Sequence, residues 1–243
     1  MNETYPEGFE EMIRQEGFSK DVQWISMRDI SGTDMYLSDE ARDEIIKRLD
    51  KIRDPEQGIH FIDSGNYHYL SGIFTSFIKV KYDLVLIDHH TDMQETAFGN
   101  ILSCGSWASE VIEKDENVRS FLLCGPVNAG GGTLADMDVS GKNETCMIFG
   151  EGNTDPDIPV YISVDKDVLC EDECVTNWDQ GEMTLSELSI LIKKIANGRK
   201  VIGADICGGI SGSDPRKNFE ASEKNTASDL YIYRLLGKIM SEA

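Results

Sequence analysis

Seven short runs along the chain are apolar and rich in β-branched or aromatic residues: "DVQWISM" (21–27), "GIHFID" (58–63), "YDLVLID" (82–88), "RSFLLCG" (119–125), "TCMIFG" (145–150), "PVYISVD" (159–165) and "KVIGADI" (200–206). Several are unbroken rather than alternating, as expected of parallel strands covered on both faces. Between them lie segments of helical period. "SDEARDEIIKRLDKI" follows the first run, and "TLSELSILIKKIANG" places Leu188, Leu191, Ile192 and Ile195 on one face. The second segment opens with the capping-box pair Thr184 and Glu187 and closes near Gly198. From Ser222 to Ala243 the spacing returns with Ile232, Leu235, Leu236, Ile239 and Met240. Strand–helix alternation predicts an α/β protein, a three-layer α/β/α sandwich with a mainly parallel central sheet. With no linker or internal repeat, residues 1–243 are expected to form a single domain.

Ligands of open parallel sheets bind beyond the carboxyl ends of the strands. Several runs end there in ionisable residues: Asp63 with His68, Asp88 to Asp92, Asp165 to Asp167, and Asp205. Side chains in extended backbone alternate faces. An extended "DHHTD" would send Asp88, His90 and Asp92 to one side and His89 to the other, while "VDKD" would pair Asp165 with Asp167 and turn Lys166 away. Four carboxylates and an imidazole converging without a cation would repel one another, and some would have to take up protons. Two divalent ions would balance the four aspartates. Oxygen-rich ligands with some imidazole suit manganese better than structural zinc, and ions about 3.5–4 Å apart can share and activate a water. The alternative is that these aspartates only cap helices or end strands.

Composition narrows the partners. Against 23 basic residues stand 44 acidic ones, a net charge of −21, which leaves no basic stripe for nucleic acid. No stretch approaches the roughly 18 consecutive apolar residues of a membrane span. The acidic start "MNETYPEGFEEMIRQ" is unlike a signal peptide, so a cytoplasmic location is expected. Cys124, Cys146 and Cys207 lie in or beside apolar runs, where a reduced cysteine acts as a small hydrophobe. "CEDEC" (170–174) lacks the second cysteine pair of a metal clip.

The ordered motifs resemble those of the arginase/agmatinase/formiminoglutamase (ureohydrolase) family, of which the chain looks like a divergent member. "DHHTD" is similar to the family's Asp-Ala-His-x-Asp, and "ISVDKDVL" to its Ser-x-Asp-x-Asp. "GNYH" (65–68) sits where the family has Gly-Gly-Asp-His, "QGEMT" (180–184) where Gly-Gly-Leu/Met-Thr opens a late helix, and "GADICGG" (203–209) at its last conserved strand. The resemblance implies an arginase/deacetylase-like fold and two Mn2+ ions bridged by Asp88 and Asp165. His68 and Asp92 would complete one ion, and His90 and Asp167 the other. It further implies hydrolysis of a linear C–N bond in a small guanidino, amidino or amide substrate by a metal-bridging hydroxide, with Asp92 taking the proton. Relatives commonly form trimers or hexamers, so a homo-oligomer is also implied.

The chain departs from that pattern at several positions. Gly208 stands where guanidine hydrolases carry a glutamate, and Ser103 or Cys104 where the family has a proton-shuttling histidine. Tyr67 replaces an aspartate, and His89 replaces the small alanine beside the metal. A plain arginase is therefore not expected. His89 becomes a candidate catalytic shuttle or an orienting donor, or a structural histidine. Asn100, Ser103, Cys104, Trp178 and Asp179 become candidate substrate contacts, with Trp178 open to a packing role instead. Asp205 would orient the site or hold a strand end. "NAGGGT" (128–133) reads as a flexible loop without the lysine and hydroxyl of a phosphate cradle. Two other readings stay open. A metal-dependent phosphoesterase is one, since "VLIDHH" resembles an Asp-His-His phosphodiesterase motif and "ISVDKDVL" a haloacid-dehalogenase-like nucleophile strand. The other is a family member that keeps its metals without catalysis.

Overall fold

A computed structural model describes residues 4–19, 21–96, 101–125, 155–212 and 214–242 in full, with the backbone of 133–139 and 142–150. The elements run α1 (Phe9–Glu16), β1 (Tyr36–Leu37), α2 (Asp39–Leu49), β2 (Gly58–Phe61), α3 (Leu70–Thr75), β3 (Tyr82–Ile87), β4 (Leu102–Ser103), α4 (Trp107–Lys114), β5 (Val118–Cys124), β6 (Thr133–Val139), β7 (Lys142–Gly150), β8 (Val160–Asp165), α5 (Leu185–Ala196), β9 (Val201–Cys207) and α6 (Phe219–Glu242). Seven strands form one sheet in the order β2-β9-β8-β3-β5-β7-β6. The first five in that order are mutually parallel, whereas β7 runs antiparallel to both β5 and β6. The three-layer, mainly parallel architecture expected of the sequence is the one observed.

Burial explains why the central strands lack alternation. Every residue of β3 and β8 is buried. Val85 and Ile87 face a cluster built with Leu188, Leu191, Ile192, Ile232 and Leu236 of α5 and α6. Leu84 and Leu86 face the opposite layer, with Ile45, Ile73, Trp107 and Val111 of α2, α3 and α4. The capping box of α5 forms as expected: Thr184 Oγ1 accepts from Glu187 N at 3.2 Å, and Glu187 Oε2 accepts from Thr184 N at 2.8 Å.

Three local expectations need correction. Residues 21–27 form no strand. Side chains, not a ladder, serve the carbonyls of Val22 and Ser26, which accept from Arg14 and Arg48. Trp24 and Ile25 stay exposed. Cys124 is disulfide-bonded instead of reduced, and the β5–β7 register sets its Cα opposite that of Cys146. Thr133, assigned to a loop, begins β6, while the remainder of "NAGGGT" lies outside the described residues. Among the described residues no helix is long and apolar enough to cross a membrane.

Candidate metal centre

β3 and β8 are neighbours at the middle of the sheet, and their carboxyl ends deliver Asp88 and Asp165 to one rim. The chain leaves β3 for β5 on one side, with β8 on the other, so this is a topological switch point. His68 arrives from a third direction, closing the 3-10 turn Gly65–Tyr67 just before α3. Together with His90, Asp92 and Asp167 they line one cleft of about 110 Å³.

His68 Nδ1 lies 3.3 Å from Asp88 Oδ2, 2.9 Å from Asp92 Oδ2 and 3.3 Å from Asp165 Oδ2. His90 Nδ1 lies 2.8 Å from Asp167 Oδ2 and 3.6 Å from Asp88 Oδ1. Two sets of donor atoms therefore share Asp88: His68 with Asp88 and Asp92, and Asp88 with His90 and Asp167. In each set the ligand atoms lie within 4.8 Å of one another. A third set joins His68 and Asp165 to Cys207, a cysteine the sequence had suggested only as packing. Its thiol donates to the Ser64 carbonyl at 3.4 Å, and burial with the Asp165 charge holds its pKa well above the ordinary value.

The backbone reaches this convergence by a different route from simple alternation. Asp92 adopts a left-handed conformation, φ 49°, so "DHHTD" is not extended throughout. Lys166–Val168 form a 3-10 turn capped by Asp165, whose Oδ1 accepts from Asp167 N at 3.0 Å. Asp167 is steadied again by the His89 main-chain N–H at 3.0 Å. Trp107 opens α4 and donates its indole N–H to Asp92 Oδ2 at 2.6 Å.

The polarity of His68 tests whether the site suits a cation. Ser163 donates to Asp205 Oδ1 at 2.7 Å, so its oxygen accepts from His68 Nε2 at 2.9 Å. Neutral His68 then carries its proton on Nε2 and aims the Nδ1 lone pair at three carboxylates. That arrangement is repulsive unless a cation or a second proton lies between them. The groups register the conflict. Burial alone would depress His68, yet Asp88 and Asp92 raise it well above its usual value. Hydrogen bonds to the Asp167 and Asp88 carboxylates take His90 to about 11. Burial, then the Asp167 and Asp88 charges, push Asp165 well above the carboxylate range, and burial with the Asp88 charge lifts Asp167 to about 6. A donor set of carboxylate and imidazole, whose outer imidazole nitrogen is already engaged, fits divalent cations.

The other expected site residues divide into two groups. Ser103, Cys104 and Trp178 line the cleft. Trp178 donates its indole N–H to Asn66 Oδ1 at 3.2 Å and sets its ring edge-on to His90. Burial and the Asp92 charge push the Cys104 thiol up to about 12, which favours its neutral form. His89 and Asp179 are not among the cleft-lining residues, and Asp179 is exposed. Asn100 lies outside the described residues. Asp205 sits inside β9 and reaches His68 through Ser163. Sequence reasoning missed Met35, Tyr36 and Gln94, which also line the cleft, and it missed the brace from Trp107. Ser163 was legible, being two residues before Asp165 on the same strand face.

No family model matches the sequence. A Thermotoga maritima protein, described only as uncharacterized, is 30% identical over 173 residues, 68% of this chain and 63% of that one. The match thus spans less than two thirds of that relative. Among solved structures, a proclavaminate amidino hydrolase from Streptomyces clavuligerus superposes with a TM-score of 0.58 at 14% identity, covering 84% of this chain and 72% of that one. The formimidoylglutamase of Bacillus subtilis gives 0.56 at 15%, covering 85% and 70%. An arginase from Medicago truncatula gives 0.56 at 15%, covering 84% and 66%. The fold is that of the arginase/agmatinase/formiminoglutamase group, at low identity. Within that fold, this chain carries neighbouring clusters of carboxylates and imidazoles able to hold metal ions.

Proposed function

We propose that the protein is a ureohydrolase-like metallohydrolase that holds two manganese ions and cleaves a linear C–N bond in a small molecule. The observation that carries this reading is the Nδ1 face of His68, turned into three carboxylates that no lysine or arginine neutralises among the described residues. His68, Asp88 and Asp92 would hold one ion and Asp88, His90 and Asp167 the other, with Asp165 as a second bridge. When bound, such ions lower the pKa of water and offset negative charge developing on a substrate oxygen. The chain's own groups do the rest. Asp92, oriented by Trp107, accepts a proton at a carboxylate oxygen. His89 steadies Asp167 through its main-chain N–H. Trp178 covers one side of the cleft and limits water entry.

The remaining walls favour an uncharged reacting group. Among the described residues these walls are Met35, Tyr36, Gln94, Ser103, Cys104 and Trp178, which carry no charge, and burying an unpartnered guanidinium among them would be costly. Gly208 cannot restore an anionic seat. Its φ is +91°, and a Cβ there would collide with Asp165 Oδ1. Linear amides therefore rank ahead of guanidino compounds.

Metal analysis of the purified protein, paired with turnover of linear amides, amidines, guanidino acids and a generic phosphodiester, tests the reading. Two manganese per chain with amide hydrolysis is the expected result. Clear phosphodiester turnover would overturn it, and bound manganese without turnover across the panel would leave a metal-binding protein.

A further inference from the structure

Between the two carboxylates of the 3-10 turn sits Lys166, buried to 1% exposure. Its ammonium turns away from the cleft to an ion pair with Asp229 of α6 at 2.6 Å and donates to the Asn225 carbonyl at 3.5 Å. Asn225 and Asp229 stand four residues apart, on one face of the helix. The same Asn225 accepts from Val175 N and donates to Val175 O, both at 2.8 Å. Cys174 closes the circuit, its thiol donating to the Lys166 carbonyl at 3.1 Å. One helix face thus grips the turn that presents Asp165 and Asp167, and also the loop that leads to Trp178.

A buried ion pair is a poor means of gaining stability, because desolvation consumes most of its attraction and apolar residues of similar volume often do as well. Its direction is what apolar packing cannot supply. An ammonium committed to Asp229 fixes which way residue 166 points, and a 3-10 turn fixed at its middle residue has both flanking carboxylates fixed as well. The pairing also keeps a flexible cation, carried by the residue between Asp165 and Asp167, from lying among those carboxylates in place of a metal.

We propose that Lys166 is a positioning residue, whose pair with Asp229 orients the Asp165–Asp167 turn for cation binding. The inference rests on the metal reading above. Its test compares manganese affinity, by chelator competition and by the electron paramagnetic resonance spectrum of bound Mn2+, in wild type, Lys166→Met and Lys166→Met/Asp229→Leu. The single variant leaves Asp229 buried and unpaired and is expected to lose stability. The double variant is expected to regain the melting temperature of the metal-free wild type. Both are expected to bind manganese about 10- to 100-fold more weakly, the range seen when a ligand's supporting partner is lost, with an altered spectrum. A double variant of normal stability that binds manganese like wild type would overturn the positioning role. Wild-type protein that takes up no manganese would overturn the metal reading, and this inference with it.

Discussion

Two aspartates at opposite ends of the same strand meet opposite surroundings. Asp83, near the start of β3, accepts from Arg119 Nε at 2.8 Å and from an Arg119 terminal nitrogen at 2.6 Å, and pairs with Arg199 at 2.5 Å. Asp88, just past the end of β3, is equally buried but has carboxylates and imidazoles for company. The amino end of the sheet balances its charge with its own arginines, and the carboxyl rim does not. Identical chemistry on one strand separates into a structural role and a functional one according to whether the fold supplies the counter-charge.

Ligand removal should separate the two ends most sharply. Asp88→Ala or Asp165→Ala is expected to abolish uptake of both ions, an affinity loss beyond about 100-fold, whereas His68→Ala removes mainly one ion. Elemental analysis after dialysis against manganese checks this, and equal loss of a single ion in all three variants would contradict the bridging roles. At the other end, Asp83→Ala removes the carboxylate that Arg119 and Arg199 share and is expected to cost about 3–5 kcal/mol in urea unfolding, with manganese stoichiometry unchanged. The smallest effect is in pH dependence. The folded-state pKa of Asp167 lies near 6, above its ordinary 3.8, so between those values the unfolded chain binds fewer protons than the folded one. The contribution of Asp167 to the stability of chelator-stripped protein should therefore fall as pH rises from about 4 to about 6. His90, raised to about 11, gives its full contribution throughout that window and loses it only above pH 6.5. Asp167→Asn should flatten the slope between pH 4 and 6, and an unchanged slope would count against the unbalanced rim.

Much of this contrast was legible in the sequence because burial on both faces leaves a plain signature. β3 and β8 appear as largely apolar runs without alternation, and their acidic ends mark the rim. What escaped depended on contacts between distant segments. Residues 21–27 have strand composition, but Arg14 and Arg48 occupy two of their carbonyls. The left-handed turn at Asp92 and the 3-10 turn after Asp165 give no periodic signal, so alternation brought the right side chains together for an incomplete reason. Trp107 looks like any core aromatic until its indole N–H is seen on Asp92. Asp179 sits in a plausible loop yet faces solvent.

The glycine at 208 has a practical corollary for anyone redesigning the cleft. Because its backbone lies in the left-handed region and presses against a carboxylate of the cage, an acidic receptor cannot be installed there by exchanging one amino acid. The chain path would have to move first, and it would disturb Asp165 as it went. Retargeting this scaffold toward cationic molecules is better begun at the open lip, where Tyr36 and Ser103 can be replaced without touching the cage.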